Sequence, residues 1–305
     1  MIETSEPNFG ENLIFCGGCP RSGTTLLQRI LGSHSAVFSE QEFQYIPSHI
    51  IPMMEAVSEG ISNHNVDRII DHETLDDACR AFLNEVFQRK LKDTGKRVFC
   101  EKTPANALFI PQILKIFPKA TFVLILRDPR DVANSFKGVR NRYLQKSVRP
   151  PRFVRTVATS VNEINRYLDI SLAAQRENPR VLTVYYEDLV ADPASEVSRI
   201  CAHTGLNFEP NMLEIQKSTA NIPAHKSELW YSKEALSAGI NKSGVVTGGQ
   251  LLSEREKNLV ALFTNKHPEL ERYNLPKRAP STFERLHREF NKLRQHSLFL
   301  PRKHP

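Results

Sequence analysis

The stretch Gly18-Cys19-Pro20-Arg21-Ser22-Gly23-Thr24-Thr25 has residue types suited to holding an anion. It lies between an apolar run, Leu13 to Gly17, and a segment in which Leu26, Leu27, Ile30 and Leu31 recur at helical spacing. A strand, a Gly-rich turn and a helix in that order leave unpaired backbone N–H groups at the positive end of a helix dipole, which is a ready site for phosphate or sulfate. Arg21 adds a permanent charge with a bidentate fork, and Ser22, Thr24 and Thr25 add hydroxyl donors. The two glycines have the spacing of a nucleotide-hydrolase P-loop, but Thr24 stands where that loop needs lysine. On the loop alone a ligand-free turn stays open; Arg21 and the paired threonines count against it.

The segment PRSGTT resembles the 5′-phosphosulfate-binding loop of sulfotransferases that use 3′-phosphoadenosine 5′-phosphosulfate (PAPS). The resemblance implies PAPS as donor, 3′-phosphoadenosine 5′-phosphate (PAP) as product, a hydroxyl-bearing acceptor, which the sequence leaves open as a glycan, a lipid, a phenol or a peptide, and no metal. It gives Arg21, Ser22, Gly23, Thr24 and Thr25 to the phosphosulfate end. The donor has a second anionic end, and the family's RDPR…S pair, matched by Arg127 and Ser135, binds its 3′-phosphate. YYEDL resembles a further family segment and adds Tyr186 as a nucleotide contact, with packing as the alternative. Ser218 and Lys242 fall where related enzymes draw additional donor contacts, although no distinctive motif anchors them.

Sulfuryl transfer needs a base for the acceptor proton and cations for the departing phosphate. SEQEFQYIP resembles the segment of tyrosylprotein sulfotransferases that carries a glutamate, which implies Glu42 as base, with Glu40 as competitor. Lys102, in EKTP, matches the family lysine that stabilises charge near the scissile bond alongside Arg21. Small-molecule members often follow this lysine with Thr-His and use the histidine as base; here Thr103 is followed by Pro104, which strengthens Glu42. The rival reading is a P-loop kinase or related phosphotransferase, which requires a loop lysine and a Mg²⁺-holding aspartate. Thr24 replaces the first, and Asp128 sits beside Arg127.

These residues need a scaffold that gathers strand ends. Arg97 to Lys102, Ala120 to Leu126 and Val181 to Tyr185 read as further strands, the second apolar throughout, as strands covered on both faces of a parallel sheet are. Helices are expected from residue 48 to 95 in two runs, the second opening with a capping box at Thr74 and stopping at Gly95. More follow from Pro104 to Phe117, from Pro129, over Phe153 to Arg176, from Pro193 and, capped by Ser253 with Glu256, over Leu259 to Phe263. The alternation predicts an α/β, P-loop-like doubly wound parallel sheet flanked by helices, its ligand at the carboxyl edge of the strands. One such domain over 1–275 is expected, with a helical lid insertion at about 41–95 and a basic helical tail over 276–305.

The chain has 305 residues, 40% hydrophobic and 25% charged, an ordinary globular composition. Its net charge is +7, yet from Lys277 to Pro305 there are eight Lys/Arg against two Glu, so the excess sits in the tail and nucleic acid is not expected as a partner. Within the tail, Phe283, Leu286, Phe290 and Leu293 form a helical stripe, for which the readings are docking on the core, self-association or a peripheral membrane contact. Five scattered cysteines fit reduced thiols, and Cys16 with Cys19 lacks a second pair at zinc spacing. The polar N-terminus and the lack of a long uncharged apolar run lead to an expectation of a cytoplasmic protein.

Overall fold

Five short apolar segments build one parallel sheet in the computed structural model, which describes residues 10–215, 229–230, 239–240, 251–276, 281–282 and 285. The strands are β1 (Leu13–Gly17), β2 (Val37–Phe38), β3 (Val98–Lys102), β4 (Thr121–Leu126) and β5 (Val181–Tyr185), ordered β2-β3-β1-β4-β5 with every pairing parallel. The central strand β1 is flanked by β3, with Cys16 opposite Lys102, and by β4, with Gly17 opposite Leu124. The loops that follow β1, β3 and β4 therefore leave the sheet side by side at one edge.

Side chains alternate across each strand and build two cores. Leu13 and Phe15 of β1 and Phe122, Leu124 and Leu126 of β4 enter the larger one, under α3 (His72–Thr94), α4 (Ile110–Ile116), α5 (Pro129–Gln145), α6 (Val157–Glu177) and α9 (Glu254–Thr264). Ile14, Cys16, Val123 and Ile125 face the other, under α1 (Thr24–Gly32), α7 (Tyr186–Ala191) and α8 (Pro193–Thr204). Between β2 and β3 the chain makes a wide helical turn, Ile46–Ile50, then α2 (Ile51–Ser62) and α3.

Several boundaries differ from the sequence reading, each for a local reason. α3 starts two residues before Thr74, because the Asp71 carboxylate accepts from the Thr74 amide at 2.8 Å and is itself the cap. The helix expected after Pro104 divides into a tight turn, Pro104–Leu108, and the short α4, whose start at Ile110-Pro111 suits proline's missing donor. α6 begins at Val157 instead of Phe153, since Thr156 and Thr159 cap each other. Gly95 ends α3 in the left-handed conformation, and Ser253 and Glu256 form the capping box expected of α9. Most of 216–250 and of the tail, with Ser218, Lys242 and the apolar stripe, lies outside the described residues.

Candidate active site

The β1–α1 loop is bent hard. Gly23, the N-cap of α1, has φ 110°, and a Cβ there would lie 2.5 Å from the Tyr186 ring. A Cβ on Gly18 would lie 2.4 Å from the Ile125 carbonyl, so this loop packs backbone against β4 and α7. Arg21 itself occupies the left-handed region at φ 75°, a conformation that costs a non-glycine residue free energy and clusters at ligand sites. Gly23 has no side chain to cap α1, so the first-turn N–H groups of Thr24 and Thr25 are directed at the loop. Ser22 is buried, and its hydroxyl has no hydrogen-bond partner among the described residues. An unsatisfied buried hydroxyl in a glycine-bounded loop beside arginines fits a phosphate or sulfate oxygen.

Two clusters stand on either side of this loop. On the β4 side the Arg21 Nε donates to Ser135 Oγ on α5 at 3.0 Å, and Arg127 Nη1 donates to the Arg21 carbonyl at 3.4 Å. The Arg127 guanidinium lies 4.4 Å over the Tyr186 ring and donates to Asp131 at 3.2 Å. Burial pushes the Asp131 carboxyl and the Tyr186 hydroxyl up, and Arg127 opposes both shifts. The sequence assigns Arg21 and Ser135 to opposite ends of the donor, whereas the fold hydrogen-bonds them to one another. The two candidate anion sites are thus contiguous, because β1 and β4 are neighbours and their loops abut.

On the β3 side, Lys102 is 3% exposed at its side chain and its Nζ donates to Glu42 Oε1 at 2.5 Å. A buried ammonium is tolerated only with such a partner. Gly18 N donates to the Pro104 carbonyl at 3.2 Å, which ties the β1–α1 loop to the turn after Lys102. Of the two candidate bases it is Glu42 whose carboxylate meets the lysine; Glu40 is held by its carbonyl, which accepts from Gln28 Nε2 at 2.5 Å. Beyond Glu42 the Phe43 and Tyr45 rings lie 5.7 Å apart and Tyr45 and His49 5.3 Å, with Tyr45 59% exposed.

Two further carboxylates hold this arrangement, and sequence reasoning missed both. Glu187 accepts from the Asp128 amide at 3.0 Å and from the Tyr273 hydroxyl at 2.8 Å, and so joins the Arg127 turn to α7 and to the turn Pro268–Tyr273. Its place inside the YYEDL segment was the available signal. Glu101, 1% exposed, accepts from the Phe43 amide and the Thr103 hydroxyl at 2.8 Å each and from the Asn106 amide group. Among the described residues no three His, Cys, Asp or Glu side chains are grouped to hold a metal ion, and no helix is long and apolar enough to cross a membrane.

Residues 13–210 match the sequence model described as the Sulfotransferase family. The chain is 31% identical over 205 residues to a "putative protein-tyrosine sulfotransferase" of Caenorhabditis briggsae, covering 67% of this chain and 69% of that one. It is 28% identical over 206 residues to protein-tyrosine sulfotransferase 2 of Gallus gallus, covering 66% of this chain and only 53% of the relative. The fold is similar to that of the sulfotransferase domain from the curacin biosynthetic pathway, with TM-score 0.55 and 21% identity over 83% of this chain and 97% of that domain.

Proposed function

The chain belongs to the sulfotransferase family, and on that premise we propose that it transfers the sulfuryl group of PAPS to the phenolic hydroxyl of a tyrosyl peptide, with Glu42 as general base. The contact that carries this reading is the 2.5 Å pair of Lys102 and Glu42 beside the phosphate loop. A carboxylate and an ammonium held together there supply the two charges that an in-line displacement requires. The aromatic wall of Phe43, Tyr45 and His49 next to Glu42 suits a phenol, as do the names of the two relatives.

When bound, PAPS supplies the sulfuryl group and leaves as PAP. The loop residues Ser22, Gly23, Thr24 and Thr25 hold its 5′ end, and the buried Ser22 hydroxyl there gains the acceptor it lacks. Arg127 and Ser135 hold the 3′-phosphate, and the Tyr186 ring supports the Arg127 guanidinium from 4.4 Å. Glu42 takes the proton from the acceptor hydroxyl as its oxygen bonds to sulfur. Lys102 and Arg21 stabilise the negative charge that builds on the bridging oxygen as the old sulfur–oxygen bond breaks. Ser218 and Lys242 are proposed as further donor contacts.

The reading is tested by ³⁵S-labelled PAPS with a tyrosyl peptide and, in parallel, with its phenylalanine counterpart. Label on the first alone is expected. Titration calorimetry completes the test: tight binding of PAP and weak binding of ATP with Mg²⁺ are expected, and the reverse order would return the protein to the phosphotransferase reading.

A further inference from the structure

Glu101 carries a buried acidic group that the reaction itself does not use. It precedes Lys102 on β3, and Phe43, whose amide it accepts, follows Glu42. One carboxylate therefore spans the two segments that present the base and the cation. Oε1 takes Phe43 N and Thr103 Oγ1 at 2.8 Å each, and Oε2 takes Asn106 Nδ2. All three partners are donors, so the group acts here as an acceptor only. Nothing else among the described hydrogen bonds holds the Phe43 amide, and residues 39–44 have no helix or strand of their own to fix them.

We infer that Glu101 is a positioning residue, which sets Glu42 against Lys102 by gripping the Phe43 amide from the end of β3. This rests on the assignment of Glu42 as base. A helix or strand would hold Glu42 by its own ladder; here a side chain from the neighbouring segment substitutes for that ladder. The grip is a reach of one side chain. Shortening it by one methylene withdraws the carboxylate by about 1.5 Å, which takes a 2.8 Å hydrogen bond beyond hydrogen-bonding range.

Amide substitution has the opposite character. In Glu101→Gln the oxygen can stay on Phe43 and Thr103 while the new NH₂ faces Asn106. Asn106 Oδ1 is buried and has no partner among the described residues, so a turn of that amide presents an acceptor to the NH₂. Reach is kept and only charge is lost.

The test compares Glu101→Asp, Glu101→Gln and Glu42→Gln with the parent protein, reading PAP affinity by calorimetry, turnover of ³⁵S-PAPS on the tyrosyl peptide, and hydrogen exchange at the Phe43 amide. Glu101→Asp is expected to bind PAP within about twofold of the parent, to lose at least tenfold in kcat, and to exchange the Phe43 amide at least tenfold faster. Glu101→Gln is expected to recover kcat to within about threefold and to keep the amide protected. Equal kcat in Glu101→Asp and the parent, or a fall in PAP affinity as large as the fall in kcat, overturns the positioning role. If Glu101→Asp fails to fold, Glu101→Gln decides: protected Phe43 with normal turnover supports the role, and lost protection with normal turnover overturns it. Normal turnover in Glu42→Gln refutes the base assignment instead, whatever position 101 does.

Discussion

Lys102 and Glu42 face each other at 2.5 Å across the end of β3, the ammonium almost wholly buried and the carboxylate 28% exposed at its side chain. The lysine is thus held by its partner on one side and by the protein interior on the other, while Glu42 keeps a face toward solvent. Glu42→Gln removes the proposed base and keeps the shape. Turnover should fall by about 10² to 10⁴, with PAP affinity near normal. Glu40→Gln should lose little, and steady-state kinetics on both variants separates the two carboxylates.

Arg127→Ala should weaken PAP binding by roughly 10- to 100-fold, the loss expected of charge-assisted hydrogen bonds to a phosphate. Ser135→Ala should cost about fivefold and also release Arg21, its hydrogen-bond donor at 3.0 Å. Calorimetry checks both, and unchanged affinity in the pair would remove the 3′-phosphate assignment.

Gly23→Ala and Gly95→Ala make an internal comparison. Both glycines have positive φ, but a Cβ at Gly95 has nothing within 4 Å whereas one at Gly23 meets Tyr186 at 2.5 Å. Gly95→Ala should cost about 1 kcal/mol and leave PAP binding intact. Gly23→Ala should cost about 2–4 kcal/mol and abolish it, because the clash is added to the strain. Thermal unfolding with and without PAP reads both effects.

Stability should depend on pH through Glu101. Burial pushes its carboxyl up to about 7, against the opposing pull of Asn106, Thr103, the Phe43 amide and Lys102. The Glu101 charge in turn adds to the rise of the buried Cys16 thiol, which burial dominates. Between the ordinary carboxyl range and pH 7 the folded chain holds a proton that the unfolded chain has released. Its stabilising contribution is complete below that window and is lost as pH rises to about 7. The parent protein should lose on the order of 1–3 kcal/mol across that range relative to Glu101→Gln. Denaturant unfolding at pH 5 and pH 8 checks the sign, and parallel curves for the two proteins would contradict it.

Much of this was readable from sequence because parallel strands buried on both faces must be apolar runs, and β1 and β4 are such runs. The phosphate loop and the Arg127 turn then fell at strand ends, where their donors have a use. Glu101 was hidden because nothing in EKTP distinguishes a solvated glutamate from one gripped by three donors, two of them on other segments. Tyr186 was assigned as a nucleotide contact, but its support of Arg127 depends on β4 and β5 being neighbours, which spacing does not encode. The start of α3 was misplaced because Asp71 and Thr74 are both good caps, and only the backbone conformation decides between them.

The strand order also bears on how the chain comes off the ribosome. β1 is synthesised first but sits in the middle of the sheet, and its partners Cys100 and Thr121 emerge roughly 85 to 110 residues later. At about 5–20 residues per second, a sticky apolar pentapeptide waits on the order of 5–20 s before either neighbour exists. Of the strands only β2 is made in the interval, with α1, the turn Ile46–Ile50, α2 and α3, and β2 does not pair with β1. Nascent chains stalled before residue 98 should therefore recruit holdase chaperones through β1, and chains stalled well past residue 126 should release them.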